Sequence, residues 1–321
     1  MFMKLLGLAY TLLLPFSGVL GDSTFLSIGD WGAAALGGYH LQNAQNCLSG
    51  MIQFQQSFQP SFVLNNGDNF YYCGIQNISD PQISTDYTSL FGKLDLDWYN
   101  ALGNHDYGYN PEAQLALNQI IPQWIMDDRY YTRKIQVDQD VINVIFIDTN
   151  PCIADYRGDD PSRYDPCGTQ YPTCEPYEGE CLFHQNILEQ DCSIQYNWLV
   201  DIVNNLNMSE WNIVVGHHPI NEVNVKDFGS LIADTRIDLY INGHVHDLEH
   251  YSINGVEKYI TTGAGSMVVP KKSKKYIGSK RMIYKNVITG FTSHTISGNT
   301  LTTNFWDWQG NNLYSFQVQK N

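Results

Sequence analysis

Ile241-Asn242-Gly243-His244-Val245-His246 ends an apolar run with two histidines one residue apart. In extended backbone, side chains two residues apart project to the same face, so His244 and His246 can aim at one point beyond a strand end. A Gly-His-x-His turn alone is more often an exposed histidine pair than a metal site. Repetition gives it weight, because four other short β-like runs, far apart in the chain, close with metal-binding residue types. Thr24 to Ile28 closes with Gly29-Asp30-Trp31-Gly32, and Ser61 to Leu64 leads to Gly67-Asp68-Asn69-Phe70-Tyr71. Trp98 to Leu102 ends at Gly103-Asn104-His105-Asp106, and Trp211 to Val215 at Gly216-His217-His218-Pro219. In α/β sheets, ligands gather outside the carboxyl ends of parallel strands, so these residues can converge without being neighbours in sequence.

Between the first two runs, Cys47, Met51, Phe54 and Phe58 fall at helical spacing within Tyr39 to Phe58. The unit is therefore βαβ, and its two strands are expected to be parallel. Arg129 to Val137 and Val141 to Asp148 read as an antiparallel pair. Ser193 is the expected cap of a helix whose apolar stripe is Trp198, Leu199, Ile202, Val203 and Leu206. From Glu249 onward the chain alternates like antiparallel strands: Tyr251 to Ile253, Glu257 to Thr262, Gly290 to Ile296, Thr300 to Phe305 and Tyr314 to Val318. This order predicts an α/β fold built from two sheets with helices outside.

Residues 1–21 read as a cleaved secretory signal, with Lys4 the only charge, a short apolar core from Leu5 to Leu14, and Val19 and Gly21 suited to the peptidase. No later stretch approaches 18 unbroken apolar residues, so no transmembrane segment is expected. A net charge of -15 argues against nucleic acid as a partner. Of seven cysteines, Cys152, Cys167, Cys174, Cys181 and Cys192 crowd into a segment rich in Pro, Gly, Tyr and Asp, a composition better held by disulfides than by a core of its own. Their spacing lacks the paired CxxC form of a zinc site. Seven is odd, so at least one thiol is free or pairs between chains. Asn77-Ile78-Ser79 and Asn207-Met208-Ser209 are glycosylation acceptors.

GDWG, GDNFY, GNHD, GHHP and GHVH, in this order, resemble the five motif blocks of the metallophosphoesterases. The tyrosine in GDNFY points to the purple acid phosphatases, in their small mammalian-type, tartrate-resistant branch. The resemblance runs from about Phe25 to Asn304 and includes Gln195 to Leu199. It implies a four-layer αββα sandwich of two mixed β-sheets flanked by helices. Residues 22–321 would form one catalytic domain with a cysteine-rich insertion at about 151–192. It also implies a dinuclear site, with Asp30, Tyr71 and His246 on Fe(III), Asn104, His217 and His244 on a divalent ion, and Asp68 bridging.

The donor chemistry agrees with that assignment. Phenolate and carboxylates are hard anionic donors suited to Fe(III), whereas two imidazoles and an amide oxygen suit Fe(II), Zn(II) or Mn(II). Three anionic ligands against about five metal charges leave room for a phosphate dianion. Fe(III) keeps a bound water deprotonated even in acid, so attack by metal-bound hydroxide on phosphomonoesters, small or protein-borne, is the expected reaction. By resemblance His105 binds phosphate and protonates the leaving alcohol, which requires imidazolium and so favours pH below about 6.5. A secreted or lysosomal/vacuolar monomeric acid phosphatase is the expectation. The alternatives are a phosphodiesterase on the same scaffold and a binding protein with a weak or dead site.

The chain departs from that branch in three places. No histidine lies between Ile220 and Phe228, where the branch carries one near substrate; His218 or Lys226 are the candidates to replace it. The insertion after Asp148, a cleavable restraining loop in the branch, is cysteine-rich here. Disulfides are expected to hold it at the pocket rim, so that cleavage activates less, and with no cysteine after Cys192 the usual partner of a cysteine near Cys152 is missing. Lys271, Lys272, Lys274, Lys275, Lys280 and Arg281 form a basic run, expected to be a solvated loop or else an attractor for polyphosphorylated substrates.

Overall fold

The computed structural model describes residues 22–158, 164–167, 180–268 and 280–320. The expected signal at 1–21, Cys174, and Lys271, Lys272, Lys274 and Lys275 lie outside the described residues.

One seven-stranded sheet runs in the order β14 (Asn312–Gln319), β13 (Thr300–Asp307), β12 (Gly290–Ser297), β1 (Ser23–Ile28), β2 (Phe62–Asn65), β3 (Asp97–Asn100) and β4 (Trp124–Ile125). The other runs β11 (Lys280–Asn286), β9 (Leu248–Ile253), β10 (Val256–Thr262), β8 (Leu239–Asn242), β7 (Trp211–Val215), β6 (Asp140–Phe146) and β5 (Tyr131–Val137). Both sheets are mixed. β1 to β4 are parallel in the first, as are β6, β7, β8 and β10 in the second, with antiparallel strands added at the edges. Every residue of β1, β2, β7 and β8 is buried, as parallel strands covered on both faces require. Toward the edge, β13 alternates buried and half-buried residues, the period-2 pattern of a strand with one wet face. Helices flank both sheets, giving the layered sandwich expected.

The helix Gly38–Phe58 buries Ala44, Cys47, Leu48, Met51 and Phe54 on the first sheet, and the Cys47 thiol reaches the Gly290 carbonyl. Trp31 stands behind the first loop, with ring centroids 5.2 Å from Phe91, 5.5 Å from Trp98 and 6.0 Å from Phe70. Its indole N–H donates to Asn65 Oδ1, so the loops after β1 and β2 share one rigid aromatic support.

The sequence reading differs from the structure at several points. Asp191, not Ser193, caps the helix Cys192–Asn204, because a carboxylate oxygen accepts from the Ser193 N–H at 2.8 Å. β4 and β11 were not expected. Lys280 and Arg281 belong to β11 rather than to a loop. The Lys280 ammonium is buried against Glu249 at 2.8 Å and lies 3.9 Å from the Tyr251 ring centroid, so this cation is not displayed to substrate. Among the described residues Cys47 alone is free, and it is buried, so that thiol is not presented to a second chain. Cys152 pairs with Cys192 and Cys167 with Cys181, so the bridge at Cys152 closes within the insertion itself. Cys73 is also disulfide-bonded. No helix among the described residues is long and apolar enough to cross a membrane.

His294 of β12 sits in the core with Ser27 on Nε2 and Thr303 on Nδ1, stacked 4.7 Å from Phe25. Burial pushes its pKa down to about 3. The unfolded chain takes up this proton near pH 6.5 while the folded chain refuses it, so stability is lost as pH falls below 6.5. At pH 5 the loss from this group is about 2 kcal/mol. Replacing His294→Gln is expected to flatten the fall in melting temperature between pH 7 and pH 5, whatever its effect at pH 7. An unchanged slope would assign acid sensitivity elsewhere.

Candidate metal centre

The candidate ligands occupy loops at the carboxyl ends of β1, β2, β3, β7 and β8, three strands of one sheet and two of the other. The ends of the sheets are stitched together, since Gly29 N–H donates to the Thr262 carbonyl and His217 Nδ1 donates to the Asn66 carbonyl at 2.8 Å. That second bond leaves His217 Nε2 as the lone-pair nitrogen facing the site.

Turning from strand to site within two or three residues strains the backbone. Asp30, Asp68, His244 and His246 all adopt positive φ, between 54° and 70°. Non-glycine residues held in this sparsely allowed region cluster at functional sites, where surrounding contacts over-determine them. Gly103 shows how tight the loops are, because a Cβ there would lie 2.2 Å from both Asp68 N and Asp68 Oδ1.

All seven sequence-predicted ligands come together, in two groups. Tyr71 Oη lies 3.0 Å from Asp30 Oδ1, 2.7 Å from Asp68 Oδ2 and 3.2 Å from His246 Nε2, and His246 Nε2 is 3.1 Å from Asp30 Oδ1. Asn104 Oδ1 lies 3.0 Å from His217 Nε2 and 2.9 Å from His244 Nδ1. Asp68 joins the groups, its other oxygen being 3.4 Å from His217 Nε2. Asp30, Asp68, Tyr71, Asn104 and His217 are each at most 1% exposed.

The electrostatics are those of a cation site. Burial opposes ionisation of Asp68, but His217 and His105 hold its carboxyl well below the usual range. Burial likewise works against a charged His217, yet Asp68 and Asp30 raise it to about 9. Burial and the same two carboxylates push the Tyr71 phenol well above its ordinary value, and burial with neighbouring imidazoles pushes His244 well below. A bound cation stabilises phenolate, carboxylate and neutral imidazole together, so this donor set fits a metal pair better than it fits any proton arrangement.

His105 belongs to the site. Its N–H donates to Asp68 Oδ1 at 2.9 Å and its Nδ1–H to the Tyr72 carbonyl at 2.6 Å, which aims Nε2 into the pocket. Burial lowers its pKa, with Asp68 acting in the opposite direction. The geometry gives His218 a different part from the one expected. It is fully buried, with Nδ1 on Thr149 Oγ1 at 2.7 Å and Nε2 on Tyr156 Oη at 2.8 Å, and burial holds it well below its usual pKa. A neutral imidazole with both nitrogens engaged supports the loop and offers substrate nothing. Lys226 is exposed.

Three groups escaped the sequence reading. Glu222 stands 3.7 Å from His244 Nε2, inside the stretch from Ile220 to Phe228 that carries no histidine. Tyr164 reaches the site from the insertion, with no motif to announce it. Asp106 closes the block Gly103-Asn104-His105-Asp106 and was visible there. Its oxygens accept from Asn69, Phe70 and Gly103 backbone N–H groups and from Gln114 Nε2, tying the β2 and β3 loops together.

The chain belongs to the calcineurin-like phosphoesterase family, which matches residues 23–248. Purple acid phosphatase 4 of Arabidopsis thaliana is 28% identical, covering 94% of this chain and 84% of its own length. Tartrate-resistant acid phosphatase type 5 of Homo sapiens is 24% identical, covering 92% of this chain and 90% of its own. Among solved structures, GAP50, described as the anchor in the inner membrane complex of Plasmodium, superposes with TM-score 0.68 at 22% identity over 94% of this chain and 90% of that one. At that identity the likeness concerns the fold.

Asp106→Asn would turn an amide toward three backbone donors that need acceptors. A loss of about 1–3 kcal/mol is expected, together with reduced metal content measured by mass spectrometry after purification. Full metal occupancy in a variant of unchanged melting temperature would remove Asp106 from this role.

Proposed function

We propose that the protein is an acid phosphatase, hydrolysing phosphomonoesters at a site that takes Fe(III) on Asp30, Tyr71 and His246 and a divalent ion on Asn104, His217 and His244, with Asp68 shared. The observation that carries this reading is the meeting of seven donors from five loops in two groups joined by one carboxylate. When bound, the ions supply Lewis acidity toward the phosphoryl group and its nucleophile. The protein's own residues do the rest. Asp68 is oriented by the His105 N–H, and Tyr72 holds the His105 ring so that Nε2 can meet the phosphate and give a proton to the departing alcohol. That step needs imidazolium, so the rate is expected to fall as pH rises through the His105 pKa, which burial places below the ordinary histidine value.

Export through residues 1–21 belongs to the same proposal. Bridged cysteines beside exposed Asn77 and Asn207 acceptors suit an oxidising, glycosylating compartment, whether the final destination is outside the cell, lysosomal or vacuolar. A phosphodiesterase or a metal-holding binding protein would need the same ligands, so turnover decides between them.

Purified protein is expected to be violet, through tyrosinate-to-Fe(III) charge transfer, and Tyr71→Phe to lose that band. The loaded protein is expected to hydrolyse p-nitrophenyl phosphate well and its bis-ester poorly. Colour retained in Tyr71→Phe would redraw the iron ligands; preference for the bis-ester would make the enzyme a diesterase, and no turnover of either would leave a binding protein.

A further inference from the structure

Tyr164 lies in the cysteine-rich insertion, 60 positions beyond Asn104, yet its phenol sits between the two residues on which the proposed chemistry turns. Asn104 Nδ2 donates to Tyr164 Oη at 2.5 Å, and the same oxygen is 3.1 Å from His105 Nε2. We propose that Tyr164 is a positioning residue of the phosphatase site, setting the Asn104 amide toward the divalent ion and the His105 ring toward the leaving group. The inference rests on the phosphatase reading above and deepens it.

An asparagine amide offers an acceptor at one end and donors at the other, and only the acceptor end can ligate a cation. Asn104 Oδ1 faces His217 Nε2 and His244 Nδ1, the two nitrogens that would share the ion with it. If the amide turned over, its NH2 would point at the ion. An oxygen placed to accept from Nδ2 selects the productive orientation, and Tyr164 supplies that oxygen.

The same hydroxyl serves His105. Nδ1–H is given to the Tyr72 carbonyl, so neutral His105 has an acceptor at Nε2, which the Tyr164 O–H can fill. One phenol oxygen thus meets both Asn104 Nδ2 and His105 Nε2, and so fixes the two side chains relative to each other.

The insertion is built to keep the phenol there. The Tyr164 ring packs 5.3 Å from Tyr156 and 5.6 Å from Phe183, centroid to centroid. Three residues further on, Cys167 is bridged to Cys181. Leu182 N–H then donates to the Gly108 carbonyl at 2.7 Å, and Asn186 Nδ2 to the Tyr107 and Tyr109 carbonyls at 2.8 Å, fastening the segment to the loop that carries His105. Tyr156, in the same aromatic group, holds His218.

The test compares full-length, disulfide-intact wild type with Tyr164→Phe, which keeps the ring and removes only the oxygen; melting temperature and a free-thiol content equal to that of wild type serve as folding controls. Titration of iron-loaded protein with Zn2+ is expected to show about tenfold weaker binding in the variant. With zinc saturating, kcat on glycerol phosphate, a poor leaving group that needs the proton, is expected to fall about tenfold, and kcat on p-nitrophenyl phosphate much less. Zinc affinity within twofold of wild type together with equal changes on both esters would overturn the proposal. A rise in kcat/KM on either ester would overturn it too, making the phenol a plug. If wild type hydrolyses neither ester, the phosphatase reading fails, and the zinc titration still decides whether Tyr164 orients Asn104.

Discussion

Asp68 is the one carboxylate that faces both groups of donors, and the architecture around it follows from that position. One of its oxygens receives the Tyr71 phenol; the other receives the His105 backbone N–H and approaches His217, which belongs to the opposite sheet. A carboxylate that is 1% exposed cannot stay charged without such partners. Nor can it hold partners from two sheets unless both sheets end at the same level. The bond from Gly29 to Thr262, and that from His217 to Asn66, fix that level. Positive φ at Asp30, Asp68, His244 and His246 is the conformational strain this junction imposes. A cation between the donors would be met by carboxylate, phenol, amide and imidazole atoms already gathered within hydrogen-bond distance of one another.

How much of this was legible in the sequence depends on range. Each motif block is local, a buried strand followed by a glycine turn and a donor, and local signals survive without knowledge of the fold. Hence Asp30, Asp68, Tyr71, Asn104, His105, His217, His244 and His246 could be named before their distances were known. β4 was hidden because a two-residue strand has no period to detect. β11 was hidden because Lys280 and Arg281 continue a basic run, and nothing in the sequence shows Glu249 waiting opposite to bury one of them. His218 misled for a related reason: adjacency to a ligand suggests a shared task, whereas consecutive residues after a strand face opposite ways. It faces the Thr149 and Tyr156 hydroxyls.

The insertion was the least legible part, and composition explains why. Rich in Pro, Gly, Asp and Tyr, it carries neither a helical nor a strand period, so its placement depends on cross-links and on contacts with the rest of the fold. The sequence supported a disulfide framework but not its connectivity. The bridges found at Cys152–Cys192 and Cys167–Cys181 are closed within the insertion, and backbone bonds from Leu182 and side-chain bonds from Asn186 connect it to the β3 loop.

This arrangement bears on what the insertion does to the site. A loop restrained only at its ends samples many positions, so its average effect on a nearby pocket is steric. Here the described part is held by two bridges, an aromatic group and hydrogen bonds to the loop that carries His105, which leaves it little freedom to swing away. A segment so fixed either blocks a pocket permanently or forms part of its wall. The donors it presents argue for the wall. Tyr164 accepts from an amide hydrogen that would otherwise compete for the ion position, and Tyr156 together with Thr149 holds His218, the buried neighbour of His217. Both contacts complete hydrogen bonds of side chains that belong to the site or support it.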